Sequence, residues 1–189
     1  MKRTLWASVV VVAVIVVVVL IAGRDDGSRK DRTSEPTLGP ASLQNAVYQL
    51  NGIEAGRVKL TAGKFEDAAA HVWVSLLDDV AYGDLTGDGH PEAVVVLAVN
   101  TGGSGVFHTL AVVQDIGGRP VNVASADLGD RIQLNALTID YDAVFVDLIK
   151  HGPSDPMCCP TRRVSLVYAY DGEVLRLAEQ IPPDPDIGE

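Results

Sequence analysis

Arg163-Val-Ser-Leu-Val-Tyr-Ala-Tyr170, followed by Asp171-Gly172 and residues 173–178, decides the fold class of this 189-residue chain. Val164, Leu166, Tyr168 and Tyr170 alternate with Arg163, Ser165 and Ala169. That two-residue period is the mark of a strand with one face in the core and one in water. Asp-Gly between two such runs is a hairpin signal, because both turn positions want positive φ. The same grammar repeats upstream. Residues 107–116 and 120–126 flank Gly117-Gly118, and residues 131–139 and 143–151 flank Asp140-Tyr-Asp142. Further strands are expected at 57–61, 72–77 and 92–100. Val94-Val-Val-Leu97 does not alternate, which predicts a strand buried on both faces. Leu43, Ala46, Val47 and Leu50 fall at helical spacing, so one helix is expected over 41–50. The expected fold class is therefore α+β: a mainly antiparallel β meander of about eight strands with one packed helix, plus an N-terminal transmembrane helix.

That last element rests on residues 5–22, an unbroken apolar run rich in valine in which Ser8 is the only polar residue. As a helix it would span roughly 27 Å, close to the ~30 Å hydrocarbon core. In lipid the backbone must bond internally, which overrides valine's poor helix propensity. The run is longer than the apolar region of most signal peptides and ends Leu20-Ile-Ala-Gly-Arg24, a lipobox-like exit without its cysteine. An uncleaved single-pass anchor over 1–23 is expected ahead of a cleaved signal. Lys2 and Arg3 favour a cytoplasmic N-terminus, whereas Arg24, Arg29, Lys30 and Arg32 pull the other way. The short basic start before a long domain favours the C-terminal domain outside the cytoplasm. Residues 24–40 are a charged, Pro- and Gly-bearing linker, residues 41–180 the β-rich extracytoplasmic domain, and residues 181–189 a Pro-rich acidic tail.

The domain is acidic. From position 41 onward there are 9 Lys and Arg against 21 Asp and Glu. This disfavours nucleic acid and anionic lipid as partners of the domain. The bilayer, reached through the N-terminal helix, is the one partner the sequence names; it names no protein partner.

Specific chemistry is suggested by one spacing, Asp84-Leu-Thr-Gly-Asp88-Gly-His-Pro-Glu92. Oxygen-bearing side chains stand at loop positions 1, 3, 5 and 9, and Gly89 permits a sharp turn. A hard cation such as Ca²⁺ takes ligands in this manner. The alternative is a turn that needs no metal, since Asp and Gly make such turns unaided. The motif resembles the β-hairpin calcium loops of the FG-GAP and integrin-propeller type. Carried over, that resemblance implies a Ca²⁺ site made by Asp84, Thr86, Asp88, the His90 carbonyl and Glu92. Thr86 in place of a carboxylate or amide implies weak, micromolar to millimolar binding. A wider resemblance lies in Tyr82-Gly-Asp-Leu-Thr-Gly-Asp-Gly, Asn100-Thr-Gly-Gly-Ser-Gly-Val-Phe107, Leu128-Gly-Asp-Arg131 and Gly152-Pro-Ser-Asp-Pro-Met-Cys-Cys-Pro-Thr161. Together these look like a group of uncharacterised bacterial exported proteins, which implies a location and no activity.

Cys158 and Cys159 are the only cysteines, so an intrachain disulfide joins neighbours in a strained eight-membered ring. Three readings stand: a rigid structural ring, a redox switch, or a soft Cu(I) site completed by Met157. Gly102-Gly-Ser-Gly105 lacks the Gly-Lys-Ser/Thr ending of a P-loop. A serine hydrolase would need Ser104 served by His108 or His151. Trp73 is expected in the core. The expected function is a membrane-anchored extracytoplasmic binding or structural module with a Ca²⁺ loop. The alternatives are a thiol-disulfide or copper-handling protein and a serine hydrolase.

Overall fold

The computed structural model describes residues 37–54 and 56–181. The 5–22 apolar run, most of the linker and residues 182–189 lie outside them. Among the described residues no helix is long and apolar enough to cross a membrane.

Among the described residues eleven strands form three antiparallel sheets. Five make one meander: β3 (Lys64–Asp67), β4 (Val72–Gly83), β5 (Glu92–Thr101), β6 (Phe107–Asp115) and β7 (Pro120–Asp130), in that spatial order. Four make a second: β8 (Gln133–Asp140), β9 (Ala143–Lys150), β10 (Arg162–Tyr170) and β11 (Leu175–Ile181). A ribbon of β1 (Val47–Gln49) and β2 (Arg57–Lys59) is the third.

This corrects the α+β expectation of about eight strands in one meander with a packed helix. The only helix among the described residues is one turn, α1 (Pro40–Leu43). The 41–50 segment satisfies two periods at once. Leu43, Ala46, Val47 and Leu50 fit a helix, but Ala46, Tyr48 and Leu50 fit a strand, and these three are the ones buried. Val47, which a helix would bury, is exposed. Tyr48 decides the outcome. Its ring fills the core, its hydroxyl donates to the Leu43 carbonyl at 2.9 Å, and its backbone pairs with Val58. The ribbon buries an aromatic side chain and pairs its backbone together, which a ten-residue helix could not do at this position.

β5 shows why three layers form. Val94 and Val96 join Leu110 and Val112 against Val144, Val146, Leu148, Val164, Leu166 and Tyr168 of the four-stranded sheet. Ala93, Val95, Leu97 and Val99 face the other way, onto Leu43, Tyr48, Leu50, Val58 and Leu60. A central strand covered on both faces has no wet side, hence the unbroken apolar run. At roughly 25 cal/mol per Å² of apolar area buried, this double coverage is the main source of cohesion. β10 keeps the expected alternation, with Val164, Leu166, Tyr168 and Tyr170 buried.

Three hairpins fall where expected. Gly117 and Gly118 have φ of 63° and 78°. Tyr141 and Asp142, at 47° and 59°, form a two-residue loop closed by the Asp140–Ala143 pair. The third loop is longer than Asp171-Gly172 alone: Tyr170 pairs with Leu175, and Asp171 accepts from the Glu173 and Val174 amides. Trp73 is not in the core; it lies cross-strand from Glu66 and Asn100 and is 38% exposed.

Candidate functional site

The β4–β5 connection is built around Asp84. Its Oδ1 accepts from the Gly87 amide at 2.7 Å and the Asp88 amide at 3.2 Å, and its Oδ2 from the Gly89 amide at 2.8 Å. Gly87 and Gly89 supply the positive φ values, 74° and 86°, that aim those amides inward. These bonds, the one from Gly89 foremost, hold the Asp84 carboxyl below the usual carboxylate range. Asp88 repeats the device on a smaller scale, with Oδ1 accepting from the His90 amide at 2.8 Å.

Leu85 turns inward and joins the core between the two large sheets. Burying it drags its backbone N–H under the loop, and Glu92 meets it there. Glu92 is 2% exposed; Oε2 accepts from the Leu85 amide at 2.7 Å and Oε1 from Gln114 Nε2 at 3.2 Å. A buried carboxylate is tolerated because both oxygens have donors.

The five residues expected to ligate a cation thus divide. Thr86, Asp88 and His90 stand exposed on the rim with Asp84 beneath them, half-buried. Glu92 points away into the interior. Among the described residues no group of three or more His, Cys, Asp or Glu side chains converges as a metal site would need. Glu92 is withdrawn from the expected ligand set, while Asp84 Oδ2 and Asp88 Oδ1 each accept a single amide bond. Both oxygens of the first carboxylate serve the loop's own amides, and the carboxylate that should close the far side serves Leu85 and Gln114.

Strand pairing gathers more charge around this loop. Gly83 pairs with Glu92, and Ala93 pairs with Val113 near the β6–β7 turn. Gly83 also packs against Ile139 so closely that a Cβ there would lie 2.4 Å from Ile139 Cγ2. The β8–β9 and β10–β11 turns therefore share this end of the sandwich. Asp84, Asp88, Asp115, Asp140, Asp142, Asp171 and Glu173 lie on or beside the turns at this end, where the same turns carry Arg119 and Arg176 as the basic residues among those described, and Arg176 is paired with Asp171 at 2.7 Å. A cleft of about 440 Å³ opens beside the loop, lined by Leu38, His90, Glu92, Gln114 and Asp115 among others. Gln114 and Asp115 are absent from the sequence-based site; nothing in their local pattern marks them, because β-sheet register alone brings them beside Glu92.

The remaining candidates separate as well. Cys158 and Cys159 are joined as a vicinal disulfide. In that state they offer no thiolate to Cu(I). Their turn is organised by Asp155, which the sequence did not single out. It accepts from the Gly152 amide at 2.8 Å, the Thr161 amide at 2.7 Å and the Thr161 hydroxyl at 2.8 Å. The Gly152 amide leads in holding the Asp155 carboxyl below its ordinary range. Ser104 is exposed, and its carbonyl accepts from Arg131, which also pairs with Asp130. Among the described residues Ser104 makes no hydrogen bond to His108 or His151. His108 is buried with Nδ1 unpartnered, and His151 has a buried, unpartnered Nε2.

The chain matches no protein-family model, no curated protein and no solved structure. What the fold defines is an antiparallel β-sandwich capped by a ribbon, with one acidic end.

Proposed function

We propose that this chain is a binding or structural module, held at the outer face of a membrane by its 5–22 apolar run and presenting the acidic end of its sandwich to ligands. Ca²⁺ acts there as a weak, dispensable ligand and not as a structural cofactor. What supports the reading is the carboxylate arrangement. The loop amides bond the Asp84 and Asp88 carboxylates and restrain the turn themselves, so a cation would add to that restraint and not replace it. Asp84 Oδ2 and Asp88 Oδ1 each accept one amide bond and so keep acceptor capacity for a cation, in a field made by the surrounding acids. The acidity also argues against nucleic acid as a ligand.

Thermal unfolding of the full chain in EDTA and then in 10 mM Ca²⁺ or Mg²⁺ tests this. A millimolar site stabilises by about 1.4 kcal/mol at that concentration, or roughly 5 °C in melting temperature. Asp88→Ala should abolish the gain while leaving the EDTA melting temperature within about 2 °C. A protein that melts more than about 10 °C lower in EDTA would make the metal structural. A calcium response that survives Asp88→Ala would place the ion elsewhere.

A further inference from the structure

We propose that the exposed turn between β9 and β10 is a thiol–disulfide exchange site, at which Cys158 and Cys159 cycle between disulfide and dithiol by reaction with an anionic low-molecular-weight thiol.

The first argument is that the turn does not depend on the sulfur–sulfur bond. A link between adjacent residues closes almost no chain, so it removes little entropy from the unfolded state. The turn is closed by Asp155, whose carboxylate ties Gly152 at one end to Thr161 at the other. The Asp155 amide donates to the Gly152 carbonyl at 3.2 Å, and the Cys159 amide to the Pro156 carbonyl at 3.0 Å. Pro153, Pro156 and Pro160 restrict the rest. Opening the disulfide leaves every one of these restraints in place.

The second argument is access. Both cysteines are exposed, Met157 beside them is 65% exposed, and neither hydrophobic core includes any of the three. The disulfide therefore lies at the surface and not within a core.

The third is charge. Lys150 and Arg162 lie directly opposite each other where β9 and β10 enter the turn, and Arg163 follows. Like charges opposite each other weaken a sheet, so the pair calls for a use outside it. Among the described residues none of the three is in an ion pair, Lys150 Nζ donating to Gln180 at 2.9 Å, and Asp155, bonded to Thr161, is the one carboxylate placed within the turn against these three cations. In a strongly acidic domain this is a local positive field. It concentrates an anionic thiol and favours the cysteine thiolates that exchange releases.

The chemistry balances with two equivalents of thiol. A thiolate RS⁻ attacks one sulfur of the ring, forming a mixed disulfide and expelling the other cysteine as a thiolate, which takes a proton from water. A second RS⁻ attacks the sulfur of the small thiol in that mixed disulfide. RSSR leaves, and the second cysteine is released as a thiolate and protonated. Two electrons pass from the small thiol to the protein, and the reverse sequence restores the ring.

The test holds the full chain in glutathione buffers of stepped reduced-to-oxidised ratio, alkylates free thiols after acid quenching, and weighs the intact protein. Two thiols should appear together and disappear on return to oxidised glutathione. The melting temperature of the reduced protein should fall by no more than about 4 °C. In an Arg162→Gln, Arg163→Gln double variant, reduction by glutathione, whose thiolate carries a net charge of −2, should slow by about fivefold, and reduction by 2-mercaptoethanol, whose thiolate carries −1, should slow by clearly less, about twofold. Three results would each overturn the proposal: thiols that appear only in denaturant, a larger fall in melting temperature on reduction, or equal slowing with both thiols in the variant.

Discussion

Asn122 is the residue whose removal tests the three-layer architecture most sharply. It is 4% exposed on β7, where the register with β6 shifts between Val112 and Val113. The irregularity frees backbone groups, and the Asn122 side chain takes them up. Nδ2 donates to the Val112 and Ala124 carbonyls, each at 2.9 Å, while Oδ1 accepts from the Gln49 amide at 2.8 Å and the Ser125 hydroxyl at 3.3 Å. The bond to Gln49 ties the β1–β2 ribbon to the edge of the five-stranded sheet. Asn122→Ala deletes three short bonds and leaves the Gln49 amide and two carbonyls without this partner. At about 1 kcal/mol net for each bond the loss is about 3 kcal/mol, equivalent to roughly 10 °C in melting temperature. Urea unfolding with intrinsic fluorescence measures it, and amide exchange at Gln49 and Tyr48 locates it. Asn122→Asp sharpens the argument. It keeps an acceptor for Gln49 but places a carboxylate against two carbonyl oxygens, which raises its folded-state pKa. A raised carboxyl pKa means stability present at low pH and lost as pH rises through that pKa, so this variant should lie closer to the parent at pH 4 than at pH 7. An Asn122→Ala loss below about 1 kcal/mol, or unchanged exchange in β1, would refute the claim that Asn122 fastens the ribbon.

Three further outcomes are expected. Gly83→Ala places a Cβ 2.4 Å from Ile139 Cγ2 and 2.9 Å from Ile139 Cβ. β-Branched Ile139 cannot swing clear, so about 2 kcal/mol should be lost in chemical unfolding, and an Ile139→Ala partner should recover part of it in a double-mutant cycle. His108 is pushed below its ordinary value of 6.5, chiefly by burial. Its folded form resists protonation that the unfolded chain accepts, so its contribution is whole above the unfolded pKa and is lost as pH falls below it. Melting temperature should therefore drop between pH 7 and pH 5, and His108→Gln should flatten that drop. Asp142→Gly puts the residue best suited to φ of 59° into the β8–β9 turn, and should stabilise by about 0.5 kcal/mol; a loss would mean that the Asp142 side chain has a role in the turn.

How much of this was legible in the chain depends on the range of the interaction concerned. Residues 163–170 announce their strand because one face is wet and the other dry, and that contrast is written residue by residue. Val94-Val-Val-Leu97 announces double burial for the same reason. The ribbon stayed hidden because Ala46, Tyr48 and Leu50 carry a strand period inside a segment that also carries a helical one, and what separates the two is the partner strand at Arg57–Lys59. Asp84, Asp88 and Gly89 were visible as a turn because Asp and Gly act on their own neighbours. The fate of the expected ligand set was less legible, because it turns on where Glu92 points. That direction is set by Leu85 sinking into a core completed by Val144 and Tyr170, more than fifty residues away in sequence. Asp155 lies between these cases. Its targets are three and six residues away, close enough that Asp flanked by two prolines between strands could have been taken as the organiser of the turn. The adjacent cysteines draw attention first, yet the carboxylate holds the loop, and that division of labour leaves the sulfurs free to react.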